Sequence, residues 1–215
     1  GFTEVWTGPF GRGREHVSWE AGYTVGRDAG QLVLSAPTAV FEGNILADVV
    51  TGTRQRQARP DGTTDGYKLG QTQVAKAGQL LVGSYGAQGR LDAHNSAIVI
   101  GDITGITKGL DTSAALPSTR NGTLWFDAGH LNAQKLGGLD LATRGKISIE
   151  RDLTLADGGS LNLVAPVVDF KANVTAKSGS VSATNVFRSP AVGAVPVILT
   201  SANTARVTLH AGARL

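Results

Sequence analysis

The sequence contains no cysteine and no methionine. Without cysteine there can be no disulfide framework and no thiolate metal site. The same absence suits a chain that crosses a periplasm unfolded, where no wrong disulfide can then form. No apolar run approaches the roughly 18 residues that a spanning helix needs, so no membrane span is expected. Helical spacing never outscores period-two alternation in a long window, so no amphipathic helix of useful length is expected either. The formal net charge of +3 is small. Such a balance does not by itself point to nucleic acid, and none is expected as a partner. The chain opens on Gly1 and stops inside an alternating run at Leu215, so it is expected to be a piece of a longer protein, and its want of a signal peptide carries no meaning.

What is present is a repeat. Residues 159–181 read GSLNLVAPVVDFKANVTAKSGSV, and residues from Gly30 read GQLVLSAPTAVFEGNILADVV. Laid together without a gap, Gly30 meets Gly159, Leu32 meets Leu161 and Leu34 meets Leu163. Ala36-Pro37 meets Ala165-Pro166, Phe41 meets Phe170, Asn44 meets Asn173 and Ala47 meets Ala176. Self-similarity of this kind signals a repeat architecture. A third, weaker copy starts at Ala77-Gly78-Gln79-Leu80, which echoes Ala29-Gly30-Gln31-Leu32. Within it, Leu91 and Ile98 take the offsets of Leu34 and Phe41.

Within a copy, alternation defines short strands with one apolar face. Leu32 and Leu34 share a face; a second strand starts at Val40-Phe41 and a third at Ile45-Leu46. The most regular run is 122–187, where Leu124 and Phe126, Leu139 and Leu141, Ile147 and Ile149, Leu153 and Leu155, Leu161 and Leu163, and Val181 and Ala183 all alternate with polar residues. Gly159 and Gly179 mark a twenty-residue step that puts Leu161 and Val181 in one slot. A short strand is expected around Val17, Trp19 and Ala21, and a last one over Val207, Leu209, Ala211 and Ala213. Two stretches break the pattern, 51–73 and 102–121, and read as insertions extruded from a single body spanning 1–215. The first centres on the turn Pro60-Asp61-Gly62. The second holds one potential helical turn near Ser113–Leu116.

One-faced strands this short cannot bury that face alone. Stacking equivalent coils closes a continuous core. The expectation is therefore an all-β fold, a parallel β-helix with coils of about 20 residues and a rise of about 4.7–4.9 Å per coil, in about seven to nine coils. Small residues such as Ala36, Ala47, Ala165 and Ala176 suit the corners, and Asn44 and Asn173 suit side-chain ladders. A β-sandwich from the same strands is the alternative.

The G-x-L-x-L-x-A-P pattern, the coil length, the missing cysteine and the Gly/Ala/Asn-rich corners resemble filamentous-haemagglutinin-like exoproteins, the secreted partners of bacterial two-partner secretion systems. The likeness covers 30–50 and 122–187. It implies a right-handed β-helix, export through an outer-membrane pore transporter, a secreted or cell-surface location, and attachment to a receptor or glycan on host or neighbouring cells. The domain that engages the pore is not recognisable.

Catalytic chemistry is sparse. The four histidines, His16, His94, His130 and His210, are scattered, so no metal and no cofactor is expected. There is no nucleophile elbow and no phosphate loop. A β-helix polysaccharide-degrading enzyme would need converging carboxylates. The candidates are Asp127, Asp140, Glu150, Asp152, Asp157 and Asp169, with Glu150 and Asp152 two apart on one strand face; a solvated face beside Arg151 is the favoured reading of that pair. No catalytic residue is assigned. The binding candidates are the cations Arg54, Arg56, Arg59 and Lys68. Arg54 and Arg56 share a strand face if the loop is extended, and a guanidinium fork fits sulfate, carboxylate or phosphate. An anionic glycan is the ligand this cluster would take. The aromatics Phe2, Trp6, Phe10, Trp19 and Tyr23 are expected to pack on the first coil, or to form a sugar-stacking platform.

Overall fold

A computed structural model describes residues 2–5, 15–18, 22–41, 43–56, 74–83, 96–102, 115–116, 118, 121–187, 196–198 and 204–215. The chain is mostly strand, in parallel sheets with few helices. It divides into two compact units, Gly1–Arg27 with Val50–Ala75, and Asp28–Val49 with Lys76–Leu215.

In the smaller unit, β1 (Phe2–Val5) pairs antiparallel with β2 (Glu15–Ser18), Phe2 opposite Ser18. Trp19 and Ala21, expected to continue that second strand, lie outside the described residues. The short helix α1 (Thr53–Arg56) carries the buried Gln55. Its amide oxygen accepts from the backbone N–H of Gly26 (2.7 Å) and Gly52 (2.9 Å), and its nitrogen donates to the Gly26 carbonyl (2.9 Å). This bridge needs close backbones: a Cβ on Gly26 would fall 1.6 Å from the Val50 carbonyl oxygen.

The larger unit is built on two parallel sheets. One contains β3 (Gln31–Leu34), β5 (Gln79–Gly83), β8 (Gly138–Ala142), β11 (Ser160–Val164) and β14 (Ser180–Thr184), adjacent in that order. The other contains β4 (Ala39–Phe41), β7 (Thr123–Asp127), β6 (Ala97–Gly101), β9 (Lys146–Ile149), β12 (Val167–Phe170) and β17 (Arg206–Leu209), adjacent in that order. From β8 onward the chain alternates between the sheets and adds one layer at each return. A parallel pair, β10 (Leu153–Thr154) with β13 (Val174–Thr175), follows the second sheet at each of two turns. An antiparallel pair, β15 (Val186–Phe187) with β16 (Val197–Ile198), interrupts the last passage.

The registers turn the sequence repeat into columns. In the first sheet Leu32, Leu80, Leu139, Leu161 and Val181 stack in register, as do Leu34, Val82, Leu141, Leu163 and Ala183. In the second, Ala39, Leu124, Ile98, Ile147, Val168 and Val207 form one column, and Phe41, Phe126, Ile100, Ile149, Phe170 and Leu209 another. The interior members are fully buried in one cluster with Leu131, Leu136, Leu153 and Val174. The outermost are not: Val207 and Leu209 keep 53 % and 51 % of their surface exposed.

Several expectations need correction. The third copy is offset differently: Val82, not Leu91, occupies the Leu34 column, and Ile100, not Ile98, occupies that of Phe41. Leu91 lies outside the described residues. Ile45-Leu46 is not a strand, and Leu46 is 94 % exposed; the segment is held instead by the Ala47 carbonyl, which accepts from Gly78 N–H. The last strand stops at Leu209, because Ala211-Gly212 turns with Gly212 at φ +90°. Among the described residues the first sheet holds five strands and the second six. Strand β7 follows β6 in the chain yet lies between β4 and β6. Its Leu124 and Phe126 fit both columns there, so side-chain fit sets its place.

A second helix, α2 (Ala128–Ala133), was not expected. Asp127 caps it, its carboxylate accepting from His130 N–H at 2.7 Å. Leu131 faces the core, so this one turn and a half plugs the side on which β10 and β13 lie in later layers. Ser113 and Ala114 of the expected helical turn lie outside the described residues, and Ala115 and Leu116 are not helical.

Candidate functional site

Arg54 and Arg56 sit on α1 rather than on an extended strand, so the shared strand face is not formed. The Arg54 guanidinium lies 3.6 Å from the centre of the Tyr23 ring, a cation–π stack. One face of Tyr23 thus carries a cation of its own unit. Arg59 and Lys68 lie outside the described residues, as do Trp6, Phe10 and Trp19.

The carboxylates do not converge. Glu150 accepts from Lys171 at 2.7 Å and from the Ser148 hydroxyl at 3.0 Å. The Lys171 hydrogen bond holds its carboxyl below the ordinary range, overcoming partial burial, with Ser148 and the charges of Lys171 and Lys146 adding to the effect. Asp152 points instead to the β10–β13 side, where it accepts from Asn173 N–H (2.9 Å) and from its amide (3.2 Å). The spacing of two therefore separates this pair, because β9 ends at Ile149 and a corner follows.

Asp140 sits on the outer face of the first sheet and accepts from Asn162 at 2.5 Å; Asn162 accepts in turn from Ser182 at 2.8 Å. Burial raises the Asp140 pKa, against the downward pull of Asn162. Asp169, on the outer face of the second sheet, is 9 % exposed in its side chain and lies 3.2 Å from Lys146 and 3.8 Å from His210. Burial pushes Asp169 upward, but Lys146, Thr208 and Arg206 together outweigh it and hold it below the usual value. Arg151 pairs with Asp102 at 2.6 Å.

These groups form ladders that tie one layer to the next. On the β10–β13 side, the Asn132 oxygen accepts from Thr154 N–H (2.7 Å), Asp152 accepts from Asn173, and the Asn173 oxygen accepts from Arg214 N–H (3.0 Å). Asn173 is the ladder member that its sequence position suggested. Asn132 was missed, because a six-residue helix leaves no periodic signal.

Beside this ladder lies an open groove of about 400 Å³, lined by Asp152, Thr154, Asn173, Thr175, Lys177 and Arg214. Its floor is fixed by backbone bonds: Leu155 N–H to the Thr175 carbonyl, Val174 N–H to that of Arg214, and Gly158 N–H to that of Lys177. With Asp152 engaged by Asn173, the groove presents two cations and two threonine hydroxyls. That set can hold hydroxyl-rich or acidic groups; it contains no nucleophile paired with a base. Thr154 and Thr175 occupy equivalent positions one layer apart, a signal the repeat contained. No family model, curated protein or solved structure matches the chain.

Proposed function

We propose that the chain is a right-handed parallel β-helix segment of a secreted bacterial exoprotein similar to filamentous haemagglutinin, and that it serves attachment to host or neighbouring cells rather than catalysis. One observation carries this reading. Residues 31–41 and 160–170, which match without a gap in sequence, occupy the same columns of the same two parallel sheets. Stacked equivalent layers are what a solenoid is made of, and a right-handed sense is the rule for crossovers between parallel strands. The polar side chains Asp140, Asn162, Asp152, Asn173 and Glu150 are spent on holding layers together. That use suits a scaffold whose remaining outward positions make the contacts. On this reading the chain leaves through an outer-membrane pore transporter, and Arg54 and Arg56, with Arg59 and Lys68, meet an acidic glycan.

The test is attachment itself. Surfaces coated with the purified chain should retain epithelial or bacterial cells, and soluble chain should compete. Retention no greater than on an unrelated β-protein at equal coating density overturns the reading.

A further inference from the structure

Among the asparagines of the sequence only Asn121 is followed by glycine. The Asn121-Gly122 pair forms an exposed turn immediately before β7. Gly122 has φ +71°, and beyond its own chain neighbours no atom lies within 4 Å of where its Cβ would be. The turn therefore has room to rearrange. It is also a junction. Gly122 N–H donates to the Thr38 hydroxyl at 3.0 Å, next to β4, and its carbonyl accepts from Ala97 N–H at 2.9 Å, at the start of β6. Gly122 thus ties the start of the strand placed out of chain order to both of its neighbours.

We infer that Asn121-Gly122 is a self-modifying site and that Thr38 is its guard. Gly122 nitrogen attacks the Asn121 side-chain carbonyl carbon. The N–H proton passes to solvent, the amide leaves as ammonia, and a cyclic succinimide forms. Water then opens the ring at either carbonyl, giving aspartate or isoaspartate at position 121. No residue after asparagine obstructs this attack less than glycine, which has no side chain. The attacking nitrogen must shed its proton, and a hydrogen bond to Thr38 Oγ1 holds that proton in place. The reaction is therefore slow while the turn is seated and fast once β7 lifts. The isoaspartate product cannot simply reseat: it lengthens the main chain by one methylene just before β7 and adds a carboxylate. The turn records whether the chain has opened there. Asn162 and Asn173 serve as internal comparators. Each is followed by a bulky aliphatic residue, and each has its side chain held in a ladder.

The experiment follows the Asn121 peptide by mass spectrometry and by isoaspartate methyltransferase labelling during incubation at mildly alkaline pH. Four samples are compared: the native chain, the chain in urea, Thr38→Val and Thr38→Ser. Conversion should be fast in urea and several-fold slower in the native chain. Thr38→Val should move the native rate most of the way to the urea rate, and Thr38→Ser, which keeps the hydroxyl, should stay slow. Circular dichroism checks that both variants fold. If Thr38→Val does not fold, the native-to-urea ratio and Thr38→Ser decide. A native rate equal to that in urea, a Thr38→Val rate equal to wild type in a folded chain, or an Asn121 rate in urea no faster than those of Asn162 and Asn173 overturns the inference.

Discussion

Replacing Gly179 by alanine tests the stacking at its tightest point. Gly30, Gly78, Gly137, Gly159 and Gly179 are equivalent by register and stand in one column at the corner that leads into the first sheet. An alanine Cβ at 179 would lie 1.9 Å from the Gly159 carbonyl oxygen, where no real contact falls below 3.0 Å. The obstacle is backbone, so β14 must move away by roughly 1 Å, at the cost of overpacking, about 1–3 kcal/mol. The bond from Ser180 N–H to the Gly159 carbonyl, now 3.0 Å, is lost with it, for about 0.5–1.5 kcal/mol. Alanine returns about 0.4–1 kcal/mol by restricting the unfolded chain. The net expectation is a loss of about 2 kcal/mol, or roughly a 1 M fall in the urea midpoint at a slope of about 2 kcal/mol/M. The comparator is Gly30→Ala at the far end of the same column, where a Cβ meets nothing within 4 Å. That variant should be neutral or slightly stabilised. Hydrogen exchange at 180–184 checks for a loss confined to β14. Equal midpoints and equal protection in the two variants would refute the column as described.

Acid should weaken the chain in a divided way. Glu150 and Asp169 titrate below their ordinary values, so their contribution is full above the unfolded pKa and is lost as pH falls through the folded one. Asp140 is raised, so it costs stability at neutral pH and that cost is relieved on protonation. Asp140→Asn should therefore gain stability at neutral pH and lose that advantage by about pH 3; urea midpoints at both pH values read it, and an equal gain at both would contradict the assignment. Asn173→Ala removes the acceptor for Arg214 N–H and the donor to Asp152. Water can replace both at this exposed site, so the loss should be about 1 kcal/mol, with hydrogen exchange faster at Arg214; unchanged protection there would remove the ladder from the account. On a heparin column, the triple Arg→Ala variant at 54, 56 and 59 should elute at lower salt than wild type, and the same elution salt would take these cations out of the binding role.

Much of the fold could be read from the chain because the two signals that define it are local and repeated. Alternation told which residues of 122–187 face inward, and the recurrence of Gly-x-Leu-x-Leu told which of them share a column. Leu32 with Leu161 and Phe41 with Phe170 both followed. Layer order could not be read in this way. The segment Thr123-Leu124-Trp125-Phe126-Asp127 declares its apolar face, but the same face fits every layer of the second sheet. Its position is a choice among long-range contacts, the packing of Phe126 between Phe41 and Ile100 among them. Helix α2 escaped for a related reason: its six residues carry one inward Leu131 and a capping Asp127, too little for a period.

The site was less legible because its chemistry depends on corners. A spacing of two puts Glu150 and Asp152 on one face only if the strand continues, and the strand ends at Ile149. The corner sends one carboxylate to Lys171 and the other to Asn173, which are themselves two residues apart in the next layer. A carboxylate at such a corner does best by pairing with the layer above, which satisfies both partners and leaves neither free for a substrate. Catalysis would need the opposite, two carboxylates kept from their neighbours and aimed at one point. The outward side chains that no ladder consumes, those of Thr154, Thr175, Lys177 and Arg214 among them, are where recognition can evolve without loosening the stack.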